Sequence, residues 1–198
     1  MLQIRRQAAT LSRRATFCRN FFSFPGESQT QAISLTRTLP YSPALLYSVV
    51  SNVDEYCTFV PYCTESRITE YNKDTKQPTK AILCVGWQKF EEEFESELTC
   101  DAPHTVVAES FKHSLFKILY TRWSIFPIPN NNDESQGKLV LDLKFQFASP
   151  LYNTISAQFA PAVAQIMIEA FEKRMATVQR LKLMDGDKRA AAAAASAN

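Results

Sequence analysis

Between residues 64 and 147 the apolar side chains recur at every second position, whereas after Ser149-Pro150 they recur at every third or fourth. A period of two places alternate side chains on opposite faces of a strand, and a period near 3.6 gathers them into one stripe along a helix. The cleanest alternation is Leu139, Leu141, Leu143, Phe145 and Phe147, with Lys138, Asp142, Lys144 and Gln146 between them. Leu119, Thr121, Trp123 and Ile125 share a face in the same way, as do Ala81, Leu83, Val85 and Trp87. Phe94, Ser96, Leu98 and Cys100 stand opposite Glu91, Glu93, Glu95 and Glu97. Strands that are apolar on one face and polar on the other belong to antiparallel sheets with one solvated side. With further strands predicted at residues 31–37, 64–71 and 105–111, about seven are expected.

The helical pattern covers residues 151–183. Its stripe is Leu151, Ile155, Phe159, Val163 and Ile166, continued by Met167, Ala170, Phe171, Met175 and Val178, with Pro161 expected to kink it. Ser149-Pro150 opens this helix with an N-cap residue followed by proline at the first helical position, where the missing N–H costs nothing. Ser42-Pro43 repeats the signature before Leu45, Leu46, Val49 and Val50, so a short helix precedes the sheet, and Asn52 introduces a further helical turn at residues 53–56. Residues 185–198, alanine-rich and of low complexity, read as a disordered tail. The expected class is α+β, a curved antiparallel sheet of about seven strands wrapped around a long C-terminal helix, as one domain over residues 30–184.

Few side chains here suit catalysis. The four glycines form none of the spacings of a phosphate-cradling loop or a nucleophile elbow. Five cysteines in no CxxC pair, with two histidines, give no metal site of the usual Cys/His kind and read as reduced thiols. Alternation places Glu91 through Glu97 on a solvated face, and His104 and His113 have no companion at a recognisable spacing. No apolar run approaches the ~20 residues of a membrane-spanning helix. No catalytic residue is assigned.

Residues 1–26 carry five arginines and no acidic residue, interleaved with Leu2, Ile4, Ala8, Leu11 and Ala15. That is the composition of a mitochondrial transit peptide, a cationic amphipathic segment suited to an import receptor. The alternative is a basic tail that binds nucleic acid. Without this segment 17 basic residues face 20 acidic ones, so the formal charge falls from +2 to −3. A mildly acidic domain is a poor polyanion binder, and no nucleic-acid partner is expected.

The inward faces and the helix stripe can close into a dry core or surround an elongated apolar cavity, and periodicity alone allows both. In either case Val85, Trp87, Leu119, Trp123, Leu143 and Phe145 converge on Phe159, Val163 and Met167, with Phe59, Val60 and Pro61 near one end. Residues 111–119, FKHSLFKIL, are apolar but interrupted by lysine and histidine. They are either a strand connection or a lid whose Leu115, Phe116 and Ile118 touch a bilayer while the lysines meet anionic headgroups.

The run Asp54-Glu55-Tyr56-Cys57-Thr58-Phe59-Val60-Pro61-Tyr62-Cys63, the segment Leu83-Cys84-Val85-Gly86-Trp87, Leu115-Phe116 before Trp123, and Ala170-Phe171-Glu172-Lys173-Arg174 together resemble the mitochondrial coenzyme Q-binding proteins. Those belong to the StAR-related lipid-transfer and polyketide-cyclase superfamily, and the resemblance covers residues 31–175. Tyr62 stands where tryptophan is common and Trp87 where phenylalanine is common. The resemblance implies a helix-grip fold and an apolar cavity. It also implies non-catalytic binding and chaperoning of ubiquinone or its polyisoprenoid intermediates, in support of respiratory electron transfer and coenzyme Q biosynthesis. Ubiquinone would be a bound ligand and not a catalytic cofactor. A mitochondrial location on the matrix side of the inner membrane follows, with peripheral membrane contact and with coenzyme Q biosynthetic or respiratory complexes as partners. Two other classes fit the same fold: a protein-interaction module, with a filled core and an exposed patch, and a cyclase or aromatase-like enzyme, with paired polar groups inside a cavity.

N-terminal sequencing of the protein from mitochondria should begin beyond the arginine-rich segment. A mature chain beginning at Met1 or Leu2 contradicts the import reading.

Overall fold

The computed structural model describes residues 30–87, 90–110, 114–129 and 136–196. The transit-peptide expectation at residues 1–26 lies outside them, as do Phe111, Lys112, His113 and the side chain of Trp87. The chain runs β1 (Gln31–Leu39), α1 (Pro43–Ser51), a 3-10 helix (Val53–Thr58), then β2 (Cys63–Tyr71), β3 (Pro78–Trp87), β4 (Phe90–Asp101), β5 (Thr105–Ser110), β6 (Phe116–Pro127), β7 (Gly137–Phe147) and α2 (Pro150–Ser196). The strands form one seven-stranded sheet in the order β1-β7-β6-β5-β4-β3-β2, every pairing antiparallel.

The capping signals act as the chemistry requires. Ser42 accepts the N–H of Leu45 at its side chain, 3.4 Å away, and Pro43 starts α1. The chain then turns through the 3-10 helix, where Ser66 of β2 accepts the N–H of Cys57 and donates to the Asp54 carbonyl. The helices lie against one face of the sheet, α2 touching α1, β1 and β7, and α1 touching β5, β6 and β7. Leu46, Val50, Ile125, Leu139, Ile168, Phe171 and Met175 are almost wholly inaccessible and define the packed core. Arg37 of β1 pairs with Glu172 at 2.6 Å and donates to Gln165 at 2.8 Å, while Arg174 pairs with Glu55 of the 3-10 helix. These contacts tie the middle of α2 to both flanks of the core.

Two features of α2 differ from expectation. Its buried face is Ala160, Ala164, Ile168, Ala170, Phe171 and Met175, so Ala170, Phe171 and Met175 of the expected stripe are buried, whereas Leu151, Phe159, Val163 and Ile166 are exposed. Apolar residues are spread too widely around the helix for spacing to select one face. The helix also continues beyond Leu183 to Ser196, through most of the segment expected to be disordered. Alanine is the best intrinsic helix former, and this extension stays helical with its side chains exposed from Arg180 to Arg189. The helix runs through Pro161.

Gly137 opens β7 directly beneath α1. A Cβ there would lie 2.5 Å from Leu46 Cδ1 and 3.1 Å from the Tyr41 carbonyl oxygen, and Leu46 is itself fully buried. Gly137→Ala should therefore destabilise the fold by about 1–3 kcal/mol, as overpacking does. Urea unfolding checks this, and an unchanged midpoint would show that α1 shifts freely.

Candidate functional site

Along α2 the packing changes character. Near Phe171 the helix meets bulky partners: the Phe171 ring lies 4.6 Å from that of Trp123 and 5.1 Å from those of Tyr56 and Phe59. Two turns earlier the helix presents Ala164, and a further turn earlier Ala160, both buried. Small side chains at those levels cannot reach the sheet, and a cavity of about 350 Å³ remains between them. That lies at the lower end of the roughly 300–1,000 Å³ typical of small-molecule sites.

Strand register orders the walls of this cavity. Trp123 pairs with Leu141 and Val106 at the floor, Thr121 with Leu143 and Ala108 one row out, and Leu119 with Phe145 a row further. β4 brings Phe94, Ser96 and Leu98 to the same space, and β3 brings Leu83 and Val85. Val60, Pro61, Tyr62 and Cys63 close one side. A second cavity of about 210 Å³ adjoins the first and shares Phe116, Leu119, Leu143 and Val163 with it. Phe145, Phe147 and Phe159 line only this second space, where Phe116 contacts Phe147 and Phe145 at centroid distances of 4.3 and 6.5 Å.

Of the residues expected to converge, Val60, Pro61, Val85, Leu119, Trp123, Leu143, Val163 and Met167 line the larger cavity. Phe145 and Phe159 line the smaller one. Phe59 packs behind the wall, edge-on to Tyr56 and Phe171, with the Arg174 guanidinium 5.6 Å above its ring. The three lid candidates separate. Phe116 begins β6 and turns into both cavities, Leu115 is half-buried and accepts the N–H of Ala148 at its carbonyl, and Ile118 is exposed. Sequence reasoning passed over Tyr56, Tyr62 and Cys63 as wall residues, since the irregular turn between the 3-10 helix and β2 has no periodicity to read. Tyr62 there has φ 65°, an uncommon left-handed conformation for a bulky residue.

Among the described residues that line the two cavities, none is Asp, Glu, Lys, Arg or His. Burial holds the ionisable groups of the floor neutral: the Cys63 thiol is pushed up to about 11, and the Tyr56 phenol is also raised above its ordinary value. Because the folded form resists ionising Cys63, this group costs stability only as pH rises above the ordinary thiol range. The Tyr56 hydroxyl donates to the Val50 carbonyl and the Cys63 thiol donates to that of Glu65. Among the described residues there is no cluster suited to a metal ion, and no helix is long and apolar enough to cross a membrane. The four described cysteines are unpaired.

Residues 39–172 match the family described as polyketide cyclase/dehydrase and lipid transport. The chain is 36% identical over 172 residues to the mitochondrial coenzyme Q-binding protein COQ10 of Saccharomyces cerevisiae, covering 84% of this chain and 82% of that one. It is 39% identical over 150 residues to the corresponding protein of Schizosaccharomyces pombe, covering 74% and 88%. Among solved structures, a START superfamily protein from Mycobacterium smegmatis superposes with a TM-score of 0.65 at 20% identity, over 74% of this chain and 98% of that one, a likeness of fold. The helix around which the sheet closes, the apolar cavity and these likenesses agree: the chain belongs to the polyketide cyclase/dehydrase and lipid transport family and, within it, to the COQ10 group of coenzyme Q-binding proteins.

Proposed function

We propose that this protein is a non-catalytic carrier of ubiquinone or its polyisoprenoid intermediates. It would act at the matrix face of the mitochondrial inner membrane, in support of respiratory electron transfer and coenzyme Q biosynthesis. The observation that carries the reading is the uncharged apolar cavity opening into a second apolar space lined by phenylalanines. A quinone ring with its first prenyl units is an apolar object, and each buried CH₂ contributes roughly 0.8 kcal/mol against water. The described wall residues include no carboxylate or imidazole for acid-base chemistry, which supports carriage over catalysis. A cavity in place of a filled core likewise supports carriage over a protein-interaction module.

Peripheral membrane contact belongs to the same reading, at a place other than the expected lid. Phe159 is 60% exposed, Tyr62 50%, Val163 45% and Ile166 42%, and all but Ile166 line the two cavities. Clustered exposed apolar side chains around an opening suit insertion into the headgroup region. Coenzyme Q biosynthetic or respiratory complexes, as donors and acceptors of the ligand, complete the proposal.

Among the described residues of α2, Val163 lines both cavities, and its side chain reaches solvent. Val163→Trp should reduce co-purified quinone by about tenfold and leave the melting temperature nearly unchanged, because the added ring has room outward. Quinone quantified in solvent extracts of the purified protein checks this. Retained quinone at normal stability removes Val163 from the ligand path, and a wild-type protein without quinone contradicts the carrier reading.

A further inference from the structure

We infer that Ser96 and Thr121 bind the ring of the ligand by its two opposed oxygens, so that the ring enters first and the tail leaves past the phenylalanines. This rests on the carrier reading above and assigns its polar recognition. Ser96 is buried, and both residues line the larger cavity. Among the described residues neither hydroxyl has a hydrogen-bond partner, whereas the Tyr56 hydroxyl and the Cys63 thiol beside them are already engaged. Each hydroxyl can both donate and accept a hydrogen bond, and a ligand oxygen in the cavity would supply the partner.

Placement makes the pair specific. Ser96 lies on β4 and Thr121 on β6, with β5 between, so their backbones are separated by about 10 Å across the sheet. Register puts Thr121 opposite Ala108 and Ala108 opposite Leu98, two residues along from Ser96 and on the same face. The two hydroxyls therefore face the cavity from well-separated points, as the para oxygens of a 1,4-benzoquinone require, since these need partners on opposite sides of the ring at about 2.8 Å each. A hydroxyl both donates and accepts, so the same two residues can meet quinone carbonyls or quinol hydroxyls. Thr121 is one row from the Trp123 floor, which sets the ring deep. Outward from it lie Phe116, Phe145, Phe147 and Phe159, which offer an apolar path for the tail.

The test compares a ubiquinone of two prenyl units, labelled with carbon-13 at each carbonyl in turn, with the polyprenol of the same tail. Binding is measured to wild type, Ser96→Ala, Thr121→Val and the double variant. Each single change should weaken quinone binding about fivefold, since a hydrogen bond contributes modestly in net terms, and leave polyprenol binding and melting temperature unchanged. The infrared bands of both carbonyls should be lowered in wild type, each single variant should release one, and Thr121→Ser should restore the band that Thr121→Val releases. Wild-type quinone binding that the double variant retains in full, with both bands still lowered, overturns this assignment and leaves the carrier reading standing. A wild type that binds neither quinone nor polyprenol overturns both.

Discussion

The contact on which the rest depends is the Phe171 ring against Trp123, with Tyr56 and Phe59 edge-on beside it. It joins three parts far apart in sequence: α2, β6 and the 3-10 helix. The Tyr56 hydroxyl, donating to Val50, fixes its ring against the end of α1. On one side of this aromatic wall Leu46, Ile125, Ile168 and Met175 pack to full burial. On the other side the same helix carries alanine, and the space stays open. A single helix thus serves as core around Phe171 and Met175 and as cavity roof around Ala160 and Ala164. Arg37 pairs with Glu172 and Arg174 with Glu55 beside the packed level, and Arg37 also reaches Gln165, next to Ala164, at the level of the cavity.

This division explains what the sequence could convey. The strands were legible because a half-buried antiparallel sheet writes its geometry into alternation, and Leu139 through Phe147 does so without interruption. Ser42-Pro43 marked the start of α1 because capping is local chemistry. The face of α2 was not legible. Its decisive residues, Ala160 and Ala164, contribute little to an apolar pattern and matter through what they leave unfilled. Phe159 and Val163 line the same space as the strand faces, and they reach it from its exposed rim. The choice between dry core and cavity depends on the distance between helix and sheet, which no local periodicity encodes. For residues 185–196, low complexity was read as disorder, while intrinsic helix propensity governs the backbone there.

The cavities also limit how a long-tailed lipid can be held. At about 350 and 210 Å³ they suit a ring and its first prenyl units, and a longer tail must continue outside. The residues at the exit, Phe159 and Val163, are among the most exposed apolar side chains of the protein. Partial enclosure makes that exposure a requirement of the function.

Partial enclosure also settles where selectivity must come from. Against water, each five-carbon prenyl unit buried is worth roughly 4 kcal/mol, and a fully enclosed long tail would exceed the tightest non-covalent affinities. Against a bilayer the balance differs, because lipid tails are as apolar as leucine and the tail gains almost nothing by moving into the protein. A carrier that loads from a membrane therefore cannot distinguish its ligand from other prenyl lipids by the tail. The distinction has to be made at the ring, by polar groups held in an otherwise apolar wall. Among the described residues Ser96 and Thr121 place hydroxyls on the strand wall itself, whereas Tyr62 stands half-exposed at the rim, and in a wall otherwise apolar their placement is decisive.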